Sequence, residues 1–199
     1  MSFTAIFGGT FNPFHIGHYE MLKALNSYLP IDEIYVMPDK IPPHKQCDFL
    51  ADDSDRVEMC RIAAEDFSKA KLCLLEFERD GKSYTFDTVC ELEKKYPDKS
   101  FAFVCGGDMI TSLHTWYRAD ELIQKIGFIA FRRQGENADF QKAVDVLREK
   151  GADITVLTDS ITEISSSELR VNINSDSAKK LIPEKIYDYI KEKGIYNAR

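Results

Sequence analysis

Short apolar runs alternate with longer amphipathic stretches along nearly the whole chain, and no other feature restricts the possible folds as much. β-prone runs occupy residues 3–7, 33–37, 72–77, 101–105, 128–131 and 154–157. Between them, residues 16–28, 54–67, 86–96, 108–126 and 138–150 read as helices. In the first helix Met21, Leu22, Leu25 and Leu29 fall near one face, and Ser54 or Asp55 is placed to cap the second. Strands that alternate with helices imply βαβ units. The expected fold is therefore α/β, a doubly wound, mainly parallel sheet, with a helical C-terminal extension over about residues 164–199. Pro183 suits a first-turn position of the last helix. No linker or repeat is recognisable, so residues 1–199 read as one domain.

Parallel sheets bind ligands beyond the carboxyl ends of their strands. The glycines and polar residues gather there: Gly8-Gly9 after the first run, a proline-rich loop after Met37, and Gly106-Gly107-Asp108 after the fourth. The formal net charge of −7 disfavours a protein that wraps nucleic acid. It still allows a small anionic ligand in one cationic pocket. Cys47, Cys60, Cys73, Cys90 and Cys105 include no C-x-x-C pair, which argues against a disulfide framework or a zinc site, and at least four are expected as buried thiols. The chain opens without a signal-like segment, and no run is long enough to span a bilayer. A cytoplasmic protein with no membrane partner is expected, with homo-oligomerisation left open.

The stretch from Gly8 to His18, G-G-T-F-N-P-F-H-I-G-H, lies between the first strand and the first helix. Gly8 and Gly9 permit close backbone approach. The helix start can hold phosphate oxygens, and His15 and His18 share one helix face. Gly17 between them is expected to leave room for a ligand. Either histidine alone is more often structural, and a metal site would need further ligands. The whole combination at a strand-to-helix junction points to an anion site. Ile164, Ser165, Ser166 and Arg170 form a second candidate, a serine-capped helix start whose arginine matches phosphate geometry. Alone, it also reads as an ordinary capped helix. The third candidate is Ile41-Pro42-Pro43-His44-Lys45, in a loop long enough to suggest function.

These blocks resemble the nucleotidyltransferase superfamily with the H-x-G-H signature, and more narrowly the bacterial nicotinate-nucleotide adenylyltransferases. Further resemblance lies in Ser83 to Thr88, Cys105 to Asp108, Trp116-Tyr117, Arg133-Gln134-Gly135 and Ile164 to Arg170. Phe14 stands where proline is frequent, Ser167 where threonine is, and Gln134 where proline is. The resemblance implies a Rossmann-like fold and AMP transfer from ATP to nicotinate mononucleotide, giving deamido-NAD and pyrophosphate in NAD biosynthesis. It implies ATP contacts at Gly8, Gly9, Thr10, Phe11, His15, His18, Gly106, Asp108, Arg133, Ile164, Ser165, Ser166 and Arg170. Acceptor contacts fall at Thr10, Asn12, His44, Lys45, Tyr84, Thr85 and Trp116. His15, His18, Lys45 and Arg170 are the catalytic candidates.

A phosphate monoester is already a usable nucleophile at neutral pH, so no general base or protein nucleophile is required. A Mg²⁺ ion held mainly by ATP phosphates and water is expected, with no protein metal site. Competing expectations are another adenylyl- or cytidylyltransferase, taking nicotinamide mononucleotide or pantetheine phosphate, and a non-catalytic nucleotide-binding module. A redox enzyme is disfavoured because the first turn lacks G-x-G-x-x-G.

Overall fold

The computed structural model describes residues 2–41, 49–132 and 138–198. Six strands form one sheet: β1 (Phe3–Gly9), β2 (Ile31–Pro38), β3 (Ala70–Leu72), β4 (Phe101–Gly106), β5 (Gly127–Phe131) and β6 (Ile154–Leu157). Every neighbouring pair is parallel, in the order β3-β2-β1-β4-β5-β6. The chain winds from β1 to one edge, returns to the centre at β4, and winds to the other edge. This is the doubly wound, Rossmann-like arrangement.

The strands are apolar on both sides because both faces are covered. Ala5 and Phe7 point to a core shared with Leu22 and Leu25 of α1 (Ile16–Ser27) and Met59 and Cys60 of α2 (Asp53–Ala64). Ile6 points to the opposite core, with Val89 of α3 (Thr85–Lys95), Ile110 of α4 (Gly107–Ser112), Leu122 of α5 (Ala119–Lys125) and Val144 of α6 (Ala138–Glu149). The C-terminal helices α7 (Ser166–Val171), α8 (Asp176–Leu181) and α9 (Glu184–Lys193) bury Leu169, Ala178, Ile186 and Ile190 against the first face. Among the described residues no helix is long and apolar enough to cross a membrane.

Several local expectations are corrected. The run at 72–77 is not one strand: β3 stops at Leu72, and Leu75–Phe77 winds into a 3-10 turn. That turn carries Glu76 inward, where Thr88 Oγ1 donates to its Oε1 at 2.7 Å. The expected helix over 108–126 is broken into α4, a 3-10 turn at Leu113–Thr115, and α5. At the break Arg118 takes a left-handed φ of 54°. Its guanidinium lies 4.0 Å from the Phe86 ring centroid and pairs with Glu121. Leu29 is 90% exposed, because α1 ends at Ser27 and the chain leaves the buried face. Asp52, not Ser54 or Asp55, occupies the N-cap of α2, and Pro183 caps α9 instead of entering its first turn. Only two of the described cysteines, Cys60 and Cys105, are buried, and burial pushes both thiols up. Cys73 and Cys90 are half-buried, and Cys47 lies outside the described residues.

Candidate active site

The β1–β4 ladder stops at Ile6 and Phe103. Beyond that point β1 stays paired with β2 as far as Gly9 and Pro38, and β4 with β5 as far as Gly106 and Phe131. A crevice therefore opens between the carboxyl ends of β1 and β4, where the winding direction reverses. Open α/β sheets bind ligands at such a switch point. A depression lined by Ser100, Phe101, Lys125, Gly127 and Asp153 lies instead at the amino ends of the strands.

One wall of the crevice is the loop from Gly9 into α1. His15 is the N-cap of α1, and its Nδ1 accepts from the His18 backbone N–H at 3.4 Å. The His15 backbone N–H donates in turn to His18 Nδ1 at 3.3 Å. The rings stack with centroids 3.7 Å apart and planes 17° apart. A ring nitrogen that accepts carries no proton, so Nε2 is the donor atom of each imidazole in this arrangement. This modifies the expected phosphate grip. The capping box uses one helix-start N–H, and the imidazoles present donors in its place. Phe11 and Phe14 hold His18 from the side, at centroid distances of 5.0 and 5.3 Å.

Arg170, on α7, reaches this loop. Its Nη1 donates to the Asn12 carbonyl at 2.8 Å and its Nη2 to Ser167 Oγ at 3.0 Å. Ser165 caps α7, with Oγ accepting from Glu168 N–H at 3.3 Å. Ser166 opens the helix, and Ile164 packs against the first core. His15, His18, Ser165, Ser166 and Arg170 are thus brought to one end of the sheet.

The glycines divide into two kinds. A Cβ on Gly8 would lie 3.2 Å from the Phe103 ring, and one on Gly9 would lie 3.1 Å from the Phe11 ring. Gly17 does not leave room for a ligand: a Cβ there would lie 2.6 Å from the Thr162 carbonyl oxygen. Gly106, in contrast, has no atom of the described residues within 4 Å of a built Cβ. The exposed Asp108 follows it in the first turn of α4.

Two residues expected at the ligands are buried. Phe11 is 2% exposed at a left-handed φ of 48°, so only its backbone is available to a nucleotide. Asn12 is 3% exposed: its Nδ2 donates to the Phe49 carbonyl at 2.8 Å, and its Oδ1 accepts from Ala51 N–H at 3.1 Å and Tyr196 OH at 2.5 Å. Its side chain braces the loop.

On the side expected for the acceptor, Thr10 Oγ1 donates to Asp39 Oδ2 at 2.9 Å. Tyr84 precedes α3, where no side chain caps the Thr85 helix start. Such a start presents unpaired N–H groups. The Tyr84 ring packs on Tyr117 at 4.7 Å, and Trp116 meets Phe103 edge-on at 5.7 Å. The Ser83 N–H donates to the Ile41 carbonyl at 3.1 Å, joining this helix start to the strand-end segment after β2. His44, Lys45 and Arg133 lie outside the described residues.

Sequence reasoning missed Arg56. Its side chain is fully buried beneath the first turn. Its Nη1 donates to the Thr10 carbonyl at 3.1 Å, the Asp39 carbonyl at 2.7 Å and Asp39 Oδ1 at 3.2 Å, while Nη2 meets Asp53 Oδ1 at 2.6 Å. A signal was present: Arg56 begins the helical stripe completed by Met59, Cys60 and Ala63, all buried. Tyr196, the brace on Asn12, was also missed as a functional neighbour.

The chain is a nucleotidyltransferase: residues 6–172 match the cytidylyltransferase-like family model. The nicotinate-nucleotide adenylyltransferase of Bacillus subtilis (strain 168) is 39% identical over 97% of both chains. A probable nicotinate-nucleotide adenylyltransferase of Bacillus licheniformis is 40% identical over 96% of both. The chain belongs to the nicotinate-nucleotide adenylyltransferases within the cytidylyltransferase-like family. A solved Plasmodium falciparum nicotinic acid mononucleotide adenylyltransferase, complexed with NaAD, shares the fold at TM-score 0.82 and 23% identity, covering 100% of this chain and 99% of that one.

Proposed function

We propose that this chain transfers AMP from Mg-ATP to nicotinate mononucleotide, releasing pyrophosphate and forming deamido-NAD. The observation that carries the reading is the meeting of Arg170 with the loop that bears His15 and His18, at the switch-point crevice.

In this reading the ATP phosphates lie between the two imidazoles and the Arg170 guanidinium, with Ser165 and Ser166 beside them. The adenosine lies toward the open face of Gly106, with Asp108 nearby, and Arg133 is assigned to the same ligand. An acceptor phosphate oxygen attacks the α-phosphorus. The new O–P bond forms as the bond to the pyrophosphate oxygen breaks, and the electron pair leaves on pyrophosphate. The acceptor phosphate has a second pKa of about 6, so it needs no base. The chain supplies alignment and donors aimed at the charge that develops. His15 and His18 give N–H groups, and Lys45 and Arg170 give positive charge. Among the described residues no three His, Cys, Asp or Glu side chains converge. With both histidine Nδ1 atoms turned into the capping box, this donor set fits a Mg²⁺ carried on the triphosphate, whose charge it would help neutralise.

The uncapped start of α3 beside Tyr84 and Thr85 receives the nicotinate carboxylate, and Trp116 walls the pyridine ring. An amide there would set an NH₂ against N–H donors and bind less well. An acceptor screen with Mg-ATP tests the reading. Pyrophosphate release is expected only when an acceptor is present, faster with nicotinate than with nicotinamide mononucleotide. Equal rates on the two would defeat the specificity, and release without any acceptor would defeat the transfer.

A further inference from the structure

We infer that Glu20 is a positioning residue for the ATP half of the site, acting through Thr162; the inference rests on the reaction proposed above. Gly17 and Glu20 are three residues apart on α1 and so share one face. Thr162 meets both. Its carbonyl oxygen lies so close over Gly17 that a Cβ would stand 2.6 Å away. Its backbone N–H donates to Glu20 Oε2 at 2.6 Å, and its hydroxyl donates to Glu20 Oε1 at 3.0 Å. Both carboxylate oxygens and both donors of Thr162 are used, across 142 residues of sequence.

The position of this contact gives it its role. Gly17 immediately precedes His18, and Thr162 lies three residues before Ser165, the cap of α7. The spacing between the histidines and the Ser165–Arg170 segment is therefore set where Thr162 seats on α1. A second link, from Arg170 to the Asn12 carbonyl, also joins the two segments. That link uses the guanidinium assigned to the phosphates, so substrate competes for it. Glu20 and Thr162 have no assigned contact with substrate. Their link persists when Arg170 turns to ATP, and it keeps α7 in register with the histidines. Carboxylate-accepted hydrogen bonds are stronger than neutral ones, which suits a link that must hold at a partly exposed edge.

The test compares Glu20→Ala, Glu20→Gln and Thr162→Val in the full chain. KM for ATP is expected to rise about fivefold in Glu20→Ala, the loss of a pair of surface hydrogen bonds. KM for nicotinate mononucleotide should stay at its wild-type value. Glu20→Gln should restore most of the affinity, because its amide oxygen accepts the Thr162 N–H and its NH₂ donates to the hydroxyl. Thr162→Val, which loses only the hydroxyl, should fall between, and the Glu20→Ala/Thr162→Val double variant should be no worse than Glu20→Ala. Equal changes in both KM values, no change in either, or a Glu20→Gln as poor as Glu20→Ala would overturn the inference. ATP dissociation constants from calorimetry separate this from the reaction itself. A wild type that binds ATP but makes no product sinks the proposed reaction, while the ratio of ATP affinities still reads the link. A ratio of one sinks the link whatever the chemistry, and a wild type that binds no ATP sinks both. Should Glu20→Ala not fold, Thr162→Val carries the same comparison alone.

Discussion

Glycine turns end both central strands, and they use the missing side chain in opposite ways. At the end of β1 the space belongs to the protein, with the Phe103 ring over Gly8 and the Phe11 ring over Gly9. Arg56 lies buried below, bonded to the Thr10 carbonyl, and Asn12 is braced by Tyr196. At the end of β4, no described residue comes within 4 Å of a Cβ built on Gly106. The first turn is thus packed by the protein's own rings beneath the histidines, and in the reading proposed above the second is left for a ligand. Sequence alone shows the same glycine pair at the two strand ends. Whether the vacant position admits a ring of the protein or a nucleotide is decided by residues far away along the chain.

The contrast can be broken at several points. Arg56→Ala should have the largest effect on stability, about 3–5 kcal/mol in denaturant unfolding, because it leaves Asp39 and Asp53 without their buried partner. A loss below about 1 kcal/mol would mean that the first turn does not depend on this mount. His18→Ala should lower turnover by on the order of a hundredfold, as for one lost transition-state donor. Near wild-type pyrophosphate release by a folded His18→Ala protein would reject its place at the phosphates.

The paired test of the two turns is sharper. Gly8→Ala should destabilise by about 1 kcal/mol, since its Cβ presses on the buried Phe103 ring. Gly106→Ala meets no atom of the described residues, and its backbone at φ −75° suits any residue. It should stabilise the fold by about 0.4–1 kcal/mol, and at the same time raise KM for ATP. If Gly106→Ala binds ATP as well as wild type does, the space over it is not a nucleotide site.

The smallest effect belongs at the opposite ends of the strands. Hydrogen bonds from Lys71 and Lys99 hold the Glu33 carboxyl below its ordinary pKa. A depressed folded-state pKa adds stability above the unfolded value of about 4.3, and that stability fades as pH falls through the folded value. Glu33→Gln should therefore cost under about 1 kcal/mol at neutral pH. The difference from wild type should vanish in acid, with turnover unchanged throughout. A turnover defect in Glu33→Gln would mean that the two ends of the sheet are not separable.

Much of this was legible where the signal is local. The sixth expected strand matches β6, Ile154–Leu157, residue for residue, because its apolar run is bounded by polar residues on both sides. The histidine pair and the serine-capped start before Arg170 were readable because each is a short pattern with its own chemistry. The break at Arg118 was not, since no glycine or proline marks it and the left-handed turn is held by Phe86 and Glu121. Nor was the Asn12 brace, whose partner Tyr196 is 184 residues away. Glu20 carries no signal of its own in the sequence, because Thr162 reaches it only in the folded chain.

Binding of ATP and of adenosine to wild type and Arg170→Ala, compared by calorimetry, tests the shared phosphate site most directly. Loss of the guanidinium should weaken ATP by about tenfold or more, as for a hydrogen-bonded charge, and leave adenosine unchanged. An equal loss for both ligands, or no loss for ATP, would contradict a polyphosphate held between the histidine loop and α7.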